Sequence, residues 1–151
     1  MSSSSASTAP GAAAQNLTGP SYSLAIAGSG GAGVMTAGTL LLDAAAGAGL
    51  YGLMVRTSGP QIRGGEAAAL LRLGPTPLAT LSDRFEVLLA IDWQNLNRFA
   101  DEIPLGPASL LVGDSEAGEP PDALRASGAR FVIFPFKQTA KDAGGAWVNM
   151  V

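Results

Sequence analysis

Leu24-Ala25-Ile26-Ala27-Gly28-Ser29-Gly30-Gly31-Ala32-Gly33-Val34-Met35-Thr36-Ala37-Gly38 is the stretch that decides the fold. Its first four residues read as a buried strand, the glycines follow without a break, and an apolar, small-residue run from Val34 to about Gly49 reads as a helix. Strand, glycine turn and helix in that order make the first turn of a nucleotide-binding α/β domain. Glycines let the backbone turn tightly and approach an anion closely. The N–H groups at the helix start point at that anion, and the helix dipole adds about half a positive charge. Gly28, Gly30 and Gly33 fill the three positions of G-x-G-x-x-G in this context. Gly28, Ser29, Gly30, Gly31, Ala32 and Gly33 are therefore candidate phosphate contacts.

Working outward, a dinucleotide fold that reads NAD places an acid about twenty residues on, at the end of the second strand. Here the second strand, Leu50 to Arg56, ends in Arg56-Thr57. An arginine there suits a ribose phosphate, as in NADP or the 3′-phosphoadenosine end of coenzyme A; its plainer reading is a solvated strand-end charge. Ala67–Leu73 is a third apolar strand, reached through Arg63-Gly64-Gly65-Glu66. The glycines there can take backbone angles closed to other residues, so Arg63 and Glu66 are expected on opposite sides of a sharp bend. Arg63 would be a fixed guanidinium that grips phosphate or carboxylate, or would pair with an acid across a domain interface.

Further along, Ser82-Asp83 is placed to cap a short helical turn, and Val87–Ile91 is a continuous apolar strand. Asp92 then reads as the N-cap of a helix over Trp93–Ala100. Asn95, in its first turn, is placed to reach the crevice at the strand ends, where a carboxamide suits adenine or pantetheine amides. Ser109–Val112 and Phe131–Phe134 supply two more strands, and Lys137 beyond them is a further possible phosphate contact. Continuous rather than alternating apolar runs predict strands covered on both faces. The expected class is α/β: a Rossmann-like three-layer domain with a mostly parallel sheet over residues 21–151, preceded by a disordered tail over residues 1–20.

That tail is rich in Ser, Ala, Thr, Gly and Pro and carries no charge. It lacks the positive start and apolar centre of a secretory signal and the arginines of a transit peptide. No apolar run reaches the ~18 residues of a membrane span, so the cytoplasm is the expected compartment. Charged residues make up 14% of the chain, against about 25% in typical soluble domains. With so little charge to cover a free surface, much of it is expected to meet protein. A net charge of −3 and no basic run argue against nucleic acid.

Cysteine and histidine are both absent. This chain alone can therefore hold no thiolate-bound iron–sulfur cluster, no Cys/His metal site and no imidazole base. Asp101, Glu102, Asp114, Glu116, Glu119 and Asp122 follow one another with no intervening Lys or Arg, which reads as a solvated acidic rim. An anionic ligand is expected on the side of Arg56, Arg63 and Arg72 instead.

The two glycine-bearing motifs, residues 28–38 and Ser58-Gly59-Pro60-Gln61-Ile62-Arg63-Gly64-Gly65-Glu66, together resemble the gamma subunit of the 2-oxoacid:ferredoxin oxidoreductases. The Asp92 segment and Val148-Asn149-Met150 are similar as well, so the resemblance runs from about Tyr22 to Val151. It implies a gamma-type domain of a complex that oxidatively decarboxylates pyruvate, 2-oxoglutarate or an aryl-pyruvate to acyl-CoA. It further implies coenzyme A at this domain, thiamine diphosphate with Mg and iron–sulfur clusters in alpha- and beta-type partner domains, and ferredoxin as partner of the complex. No complete active site is expected in this chain. The Ser/Ala-rich start resembles the form in which the gamma domain is fused ahead of the thiamine-binding alpha domain. The apolar ending Trp147-Val148-Asn149-Met150-Val151 suggests a gamma domain cut short at its C-terminus. Two other readings of the residues stay open: an NADP-binding Rossmann domain of a dehydrogenase, and a structural subunit whose glycine loop only packs.

Overall fold

The computed structural model describes residues 20–59, 65–93, 96–145 and 147–151. Strand β1 (Tyr22–Ser29) leads through the glycine turn into helix α1 (Val34–Gly47), and β2 (Tyr51–Ser58) and β3 (Glu66–Gly74) follow. Next come β4 (Val87–Ala90), a 3-10 turn (Leu96–Phe99), β5 (Leu110–Asp114), the short α2 (Asp122–Arg125), β6 (Arg130–Phe134), α3 (Phe136–Asp142) and a last 3-10 turn (Val148–Met150).

The strands form one mixed sheet of six in the order β2-β3-β1-β4-β5-β6. From β1 to β6 the pairing is parallel, with Leu24 opposite Val87, Leu88 opposite Leu111, and Leu111 opposite Phe131. β3 alone runs against the others, pairing antiparallel with β1 (Ser29 opposite Glu66) and with β2 (Ser58 opposite Ala67). The physical reason is length. A parallel neighbour needs a crossover of about a dozen residues or more, and residues 59–65 are too few, so β2 and β3 must form a hairpin. β3 nevertheless reads as a continuous apolar run because it lies between two strands. Ala68 and Leu70 face one side, Ala69 and Leu71 the other, and all four are buried. A strand's interior position, rather than its direction, sets that pattern.

α1 covers one face of the sheet through Val34, which packs with Ile26, Ala69, Leu71 and Ile91. Gly38 lets the helix come close: a Cβ there would lie 2.8 Å from that of Ala69. The helix ends where Gly49 takes a left-handed φ of 81°, which costs a glycine little. On the opposite face, Phe85, Leu88, Leu96, Phe99, Ile103, Leu111 and Leu124 close a second core over Ala25, Ala27, Ala68 and Leu70. Full burial of each large side chain there contributes about 1.5–3 kcal/mol. Two covered faces make the three layers that the apolar runs predict.

Several local expectations are corrected. Within the run Trp93–Ala100 expected as a helix, the described Leu96–Phe99 form a 3-10 turn, whose spacing of three puts Leu96 and Phe99 on one face and buries both. Ser82-Asp83 caps no helix, for the chain from Gly74 to β4 is irregular, although the Ser82 hydroxyl accepts the Arg84 N–H at 3.5 Å. α2 and the body of α3 are elements that the sequence reading did not mark. Among the described residues no helix is long and apolar enough to cross a membrane.

Candidate functional site

The glycine turn leaves the carboxyl end of β1, where the strand order reverses: the chain departs through α1 to β2 and β3 on one side, while β4 begins the parallel run on the other. Open α/β sheets place their ligand crevices at such a point. Residues from four parts of the chain converge on it.

Ser29 is committed to Asp92. Its N–H donates to Asp92 Oδ1 and Oδ2 at 3.2 and 3.0 Å, and its hydroxyl donates to Oδ2 at 2.7 Å. Asp92 thus ties the end of β4 to the end of β1; the residues that it would cap at a helix start lie outside the described residues. The Gly30 N–H donates to the Gly65 carbonyl oxygen, and a Cβ on Gly30 would stand 2.7 Å from that oxygen. Gly28 is packed as well, with its Cβ position 3.3 Å from Ile91 Cβ and 3.4 Å from Asp92 Oδ2. The first two glycines of the fingerprint therefore admit the chain's own atoms where a phosphate was expected to approach.

Beyond Gly30 the turn opens. Gly31 has a φ of 97° and, among the described residues, nothing within 4 Å of its Cβ position. The Ala32 N–H closes the bend onto the Ser29 carbonyl oxygen at 3.0 Å. Gly33 is the N-cap of α1 with a φ of 82° and gives no side-chain cap, so the first-turn N–H groups lack the oxygen that Ser, Thr, Asp or Asn supplies there. Among the described residues none accepts from the N–H of Gly31, Gly33, Val34 or Met35. Asn149, from the last 3-10 turn, lies against Gly33: its Nδ2 donates to the Gly33 carbonyl oxygen at 3.4 Å, and a Cβ on Gly33 would run into its carboxamide.

Arg56 is exposed on β2 and, with Met35, Thr36, Thr39 and Leu40 of the first turns of α1, lines a surface cleft of about 350 Å³. The structure therefore brings Arg56 beside the open half of the turn. Arg63 and Asn95 lie outside the described residues. Lys137 is at the start of α3, beside the far edge strand β6, where its N–H donates to Asp114 Oδ2 at 2.8 Å. Asp114 corrects the acidic rim: it is buried and also accepts the Glu116 N–H at 2.7 Å, so it is an internal cap.

Sequence reasoning missed a charged pair at this end of the sheet. Glu66, the first residue of β3, is 2% exposed, and its Oε1 accepts from Arg98 Nη1 at 3.0 Å. Its own backbone N–H and the Arg98 guanidinium hold the Glu66 carboxyl below the ordinary carboxylate range, against burial, which pushes it up. The two are 32 positions apart, and no local pattern joins them. Among the described residues no group of three or more His, Cys, Asp or Glu could hold a metal ion.

The family model described as pyruvate ferredoxin/flavodoxin oxidoreductase matches residues 23–151. The chain belongs to that family. A relative, the 2-oxoglutarate synthase subunit KorC of Methanothermobacter thermautotrophicus, is 30% identical over 131 residues, covering 83% of this chain and 69% of that protein. Among solved structures, a 2-oxoglutarate:ferredoxin oxidoreductase from Magnetococcus marinus, with 2-oxoglutarate, coenzyme A and succinyl-CoA bound, matches 86% of this chain with a TM-score of 0.71 and 28% identity. This chain spans 23% of that one's length. The keto/oxoacid ferredoxin oxidoreductase gamma subunit of Geobacter sulfurreducens shares the fold at a TM-score of 0.65 and 22% identity, over 86% of this chain and 69% of its own. The pyruvate oxidoreductase subunit PORC of Thermotoga maritima shares it at 0.64 and 18%, over 85% and 70%.

Proposed function

We propose that residues 21–151 are the gamma-type domain of a thiamine-dependent 2-oxoacid:ferredoxin oxidoreductase, and that the domain holds an anionic end of coenzyme A while joining alpha- and beta-type partner domains. Coenzyme A supplies the thiol that accepts the acyl group; thiamine diphosphate and the iron–sulfur clusters belong to the partners, and ferredoxin takes the electrons. The observation that carries the binding part is the uncapped start of α1 beside an open Gly31. A phosphate there meets the N–H groups of Gly31 and of Gly33 to Met35, the positive end of the helix dipole, and Arg56 from across the cleft. Ser29 and Gly30 shape that arc through Asp92 and Gly65 and are not its donors. Arg63 and Asn95 remain proposed contacts.

Assembly has its own support. Tyr51 and Val55 on the edge strand β2, Ile133 and Phe134 on the edge strand β6, and Trp147 are all exposed, and the chain has few charges with which to keep such surfaces soluble.

The test is titration of the assembled enzyme with coenzyme A and, separately, with NADPH. Gly31→Val introduces a branched side chain into the open arc, and coenzyme A affinity is expected to fall more than about tenfold, roughly 1.4 kcal/mol. Unchanged affinity in a folded variant removes the helix start as the phosphate seat, and saturable NADPH binding that coenzyme A does not displace overturns the coenzyme A reading.

A further inference from the structure

The buried carboxylate of Glu66 calls for a reason beyond stability. Its Oε1 pairs with Arg98, while its Oε2 is buried with no hydrogen-bond partner among the described residues. The side chain presses so closely on Gly59 that a Cβ there would overlap the carboxylate. Taking a carboxylate out of water for its own backbone N–H and one half-exposed guanidinium is a poor way to gain stability, since apolar residues of similar volume serve as well or better. What the arrangement does achieve is aim.

Arg98 stands on the 3-10 turn after β4, fixed by its buried neighbours Leu96 and Phe99. Its side chain is 52% exposed, and it gives Nη1 to Glu66. A guanidinium carries five N–H donors in a rigid fork, and among the described residues no acceptor takes the others. Glu66 is in register with Ser29, and the residue before it, Gly65, accepts the Gly30 N–H. Arg98 therefore reaches from the β4 side of the strand-order reversal to the β1–β3 side, bordering the crevice on the face opposite α1. Arg56 lies on the α1 face. Two guanidinium groups thus flank the carboxyl end of β1, one on each face of the sheet.

We propose that Arg98, aimed by Glu66 as a positioning residue, binds a phosphate of coenzyme A at this crevice, so that the ligand's separate phosphates are held from both faces of the sheet. This rests on the coenzyme A reading above. The same fork could take a carboxylate, so the experiment separates the two anions.

The assembled enzyme is titrated with coenzyme A and with 2-oxoglutarate for wild type, Arg98→Gln, Arg98→Lys, Glu66→Gln and the Arg98→Gln/Glu66→Gln double variant, with thermal melting of each. Arg98→Gln is expected to weaken coenzyme A about tenfold or more and to leave 2-oxoglutarate unchanged. Arg98→Lys, which keeps the charge and a bond to Glu66 but loses the fork, is expected to lose a large part of that affinity. Glu66→Gln should weaken coenzyme A less, and the double variant no further than Arg98→Gln alone, because one residue acts through the other. Lowered melting with unchanged coenzyme A affinity makes the pair structural and overturns the proposal, as does weakened 2-oxoglutarate with normal coenzyme A. If Arg98→Gln does not assemble, Arg98→Lys decides by the same criteria. Gly31→Val separates the two ideas. Loss of affinity there but not at Arg98 keeps the helix seat and removes Arg98; loss at Arg98 but not at Gly31 removes the seat and keeps Arg98 as the phosphate contact.

Discussion

In the first half of the glycine turn, Ser29 and Gly30 give their N–H groups to Asp92 and Gly65; in the second, Gly31, Gly33, Val34 and Met35 have no acceptor among the described residues. Both halves are glycine-rich, and both satisfy the same sequence fingerprint. They differ in what the rest of the chain puts against them. The first is a joint that binds the ends of β1 and β4 to the β2–β3 hairpin. The second is an arc at a helix start, exposed at Gly31, with Asn149 leaning on its far side. A glycine in such a motif can thus be required by the chain's own close approach or by an incoming anion, and the space around its absent side chain distinguishes the two.

The sharpest way to break the comparison is to fill the joint. Gly30→Val drives a branched side chain into the Gly65 carbonyl, and a loss at or above about 3 kcal/mol is expected, the upper end for overpacked sites. Urea unfolding of the isolated chain and of the complex measures it; a loss below about 1 kcal/mol would mean that the joint yields and that the halves are alike. Gly33→Ala sharpens the boundary between them, because it meets both a left-handed φ and the Asn149 side chain. Adding Asn149→Gly should return about 1 kcal/mol or more, a coupling that a purely backbone strain would not show.

Removing the acid of the joint has the next largest effect. Asp92→Ala leaves the Ser29 N–H and hydroxyl without their acceptor and is expected to destabilise by about 1–3 kcal/mol. Coenzyme A affinity should fall less than in Gly31→Val, and the reverse order in titration would make Ser29 part of the seat.

Acid should loosen the same end of the sheet through Glu66. Its folded carboxyl titrates below its unfolded value, so its contribution is fully present above the unfolded pKa of about 4.3 and is lost as pH falls through the lower, folded value. Glu66→Gln should flatten the acid limb of stability against pH, measured by chemical unfolding between neutral pH and the acid transition. An unchanged limb would assign it to other carboxylates.

The smallest stability effect belongs to the open half. Arg56 is exposed and should change stability by less than about 0.5 kcal/mol on substitution by Gln. Coenzyme A affinity should nevertheless drop severalfold, and more so at low salt, since the interaction is electrostatic and only partly shielded from solvent.

Much of the fold was legible because it is local. The strand, glycine turn and helix at residues 22–47 follow from apolar runs, glycine and small residues within a few positions of one another, and the same applies to β4, β5 and β6. The family was legible for a related reason: its two glycine motifs are contiguous stretches. Less legible were the segments whose form depends on a distant partner. The Trp93–Ala100 run has helical composition, but Leu96 and Phe99 are both drawn into the second core and the chain tightens to a 3-10 turn. Asp114 belongs by composition to an acidic surface run and is buried by tertiary structure as a cap for the turn at Glu116 and the first turn of α3.

By itself the sequence determined that β1 runs into a glycine turn and a small-residue helix, that the interior strands are covered on both faces, and that the chain carries the motifs of the pyruvate ferredoxin/flavodoxin oxidoreductase family. Only the tertiary structure decided the place of β3 between β2 and β1, which N–H groups of the turn remain open, and the pairing of Glu66 with Arg98. Helix and turn preferences act over a few residues. The contacts that chose these outcomes join Ser29 to Asp92 across 63 positions, Glu66 to Arg98 across 32 and Gly33 to Asn149 across 116; they exist only once the sheet has brought those segments together, and the packing of that sheet, rather than any local preference, fixes which of them form.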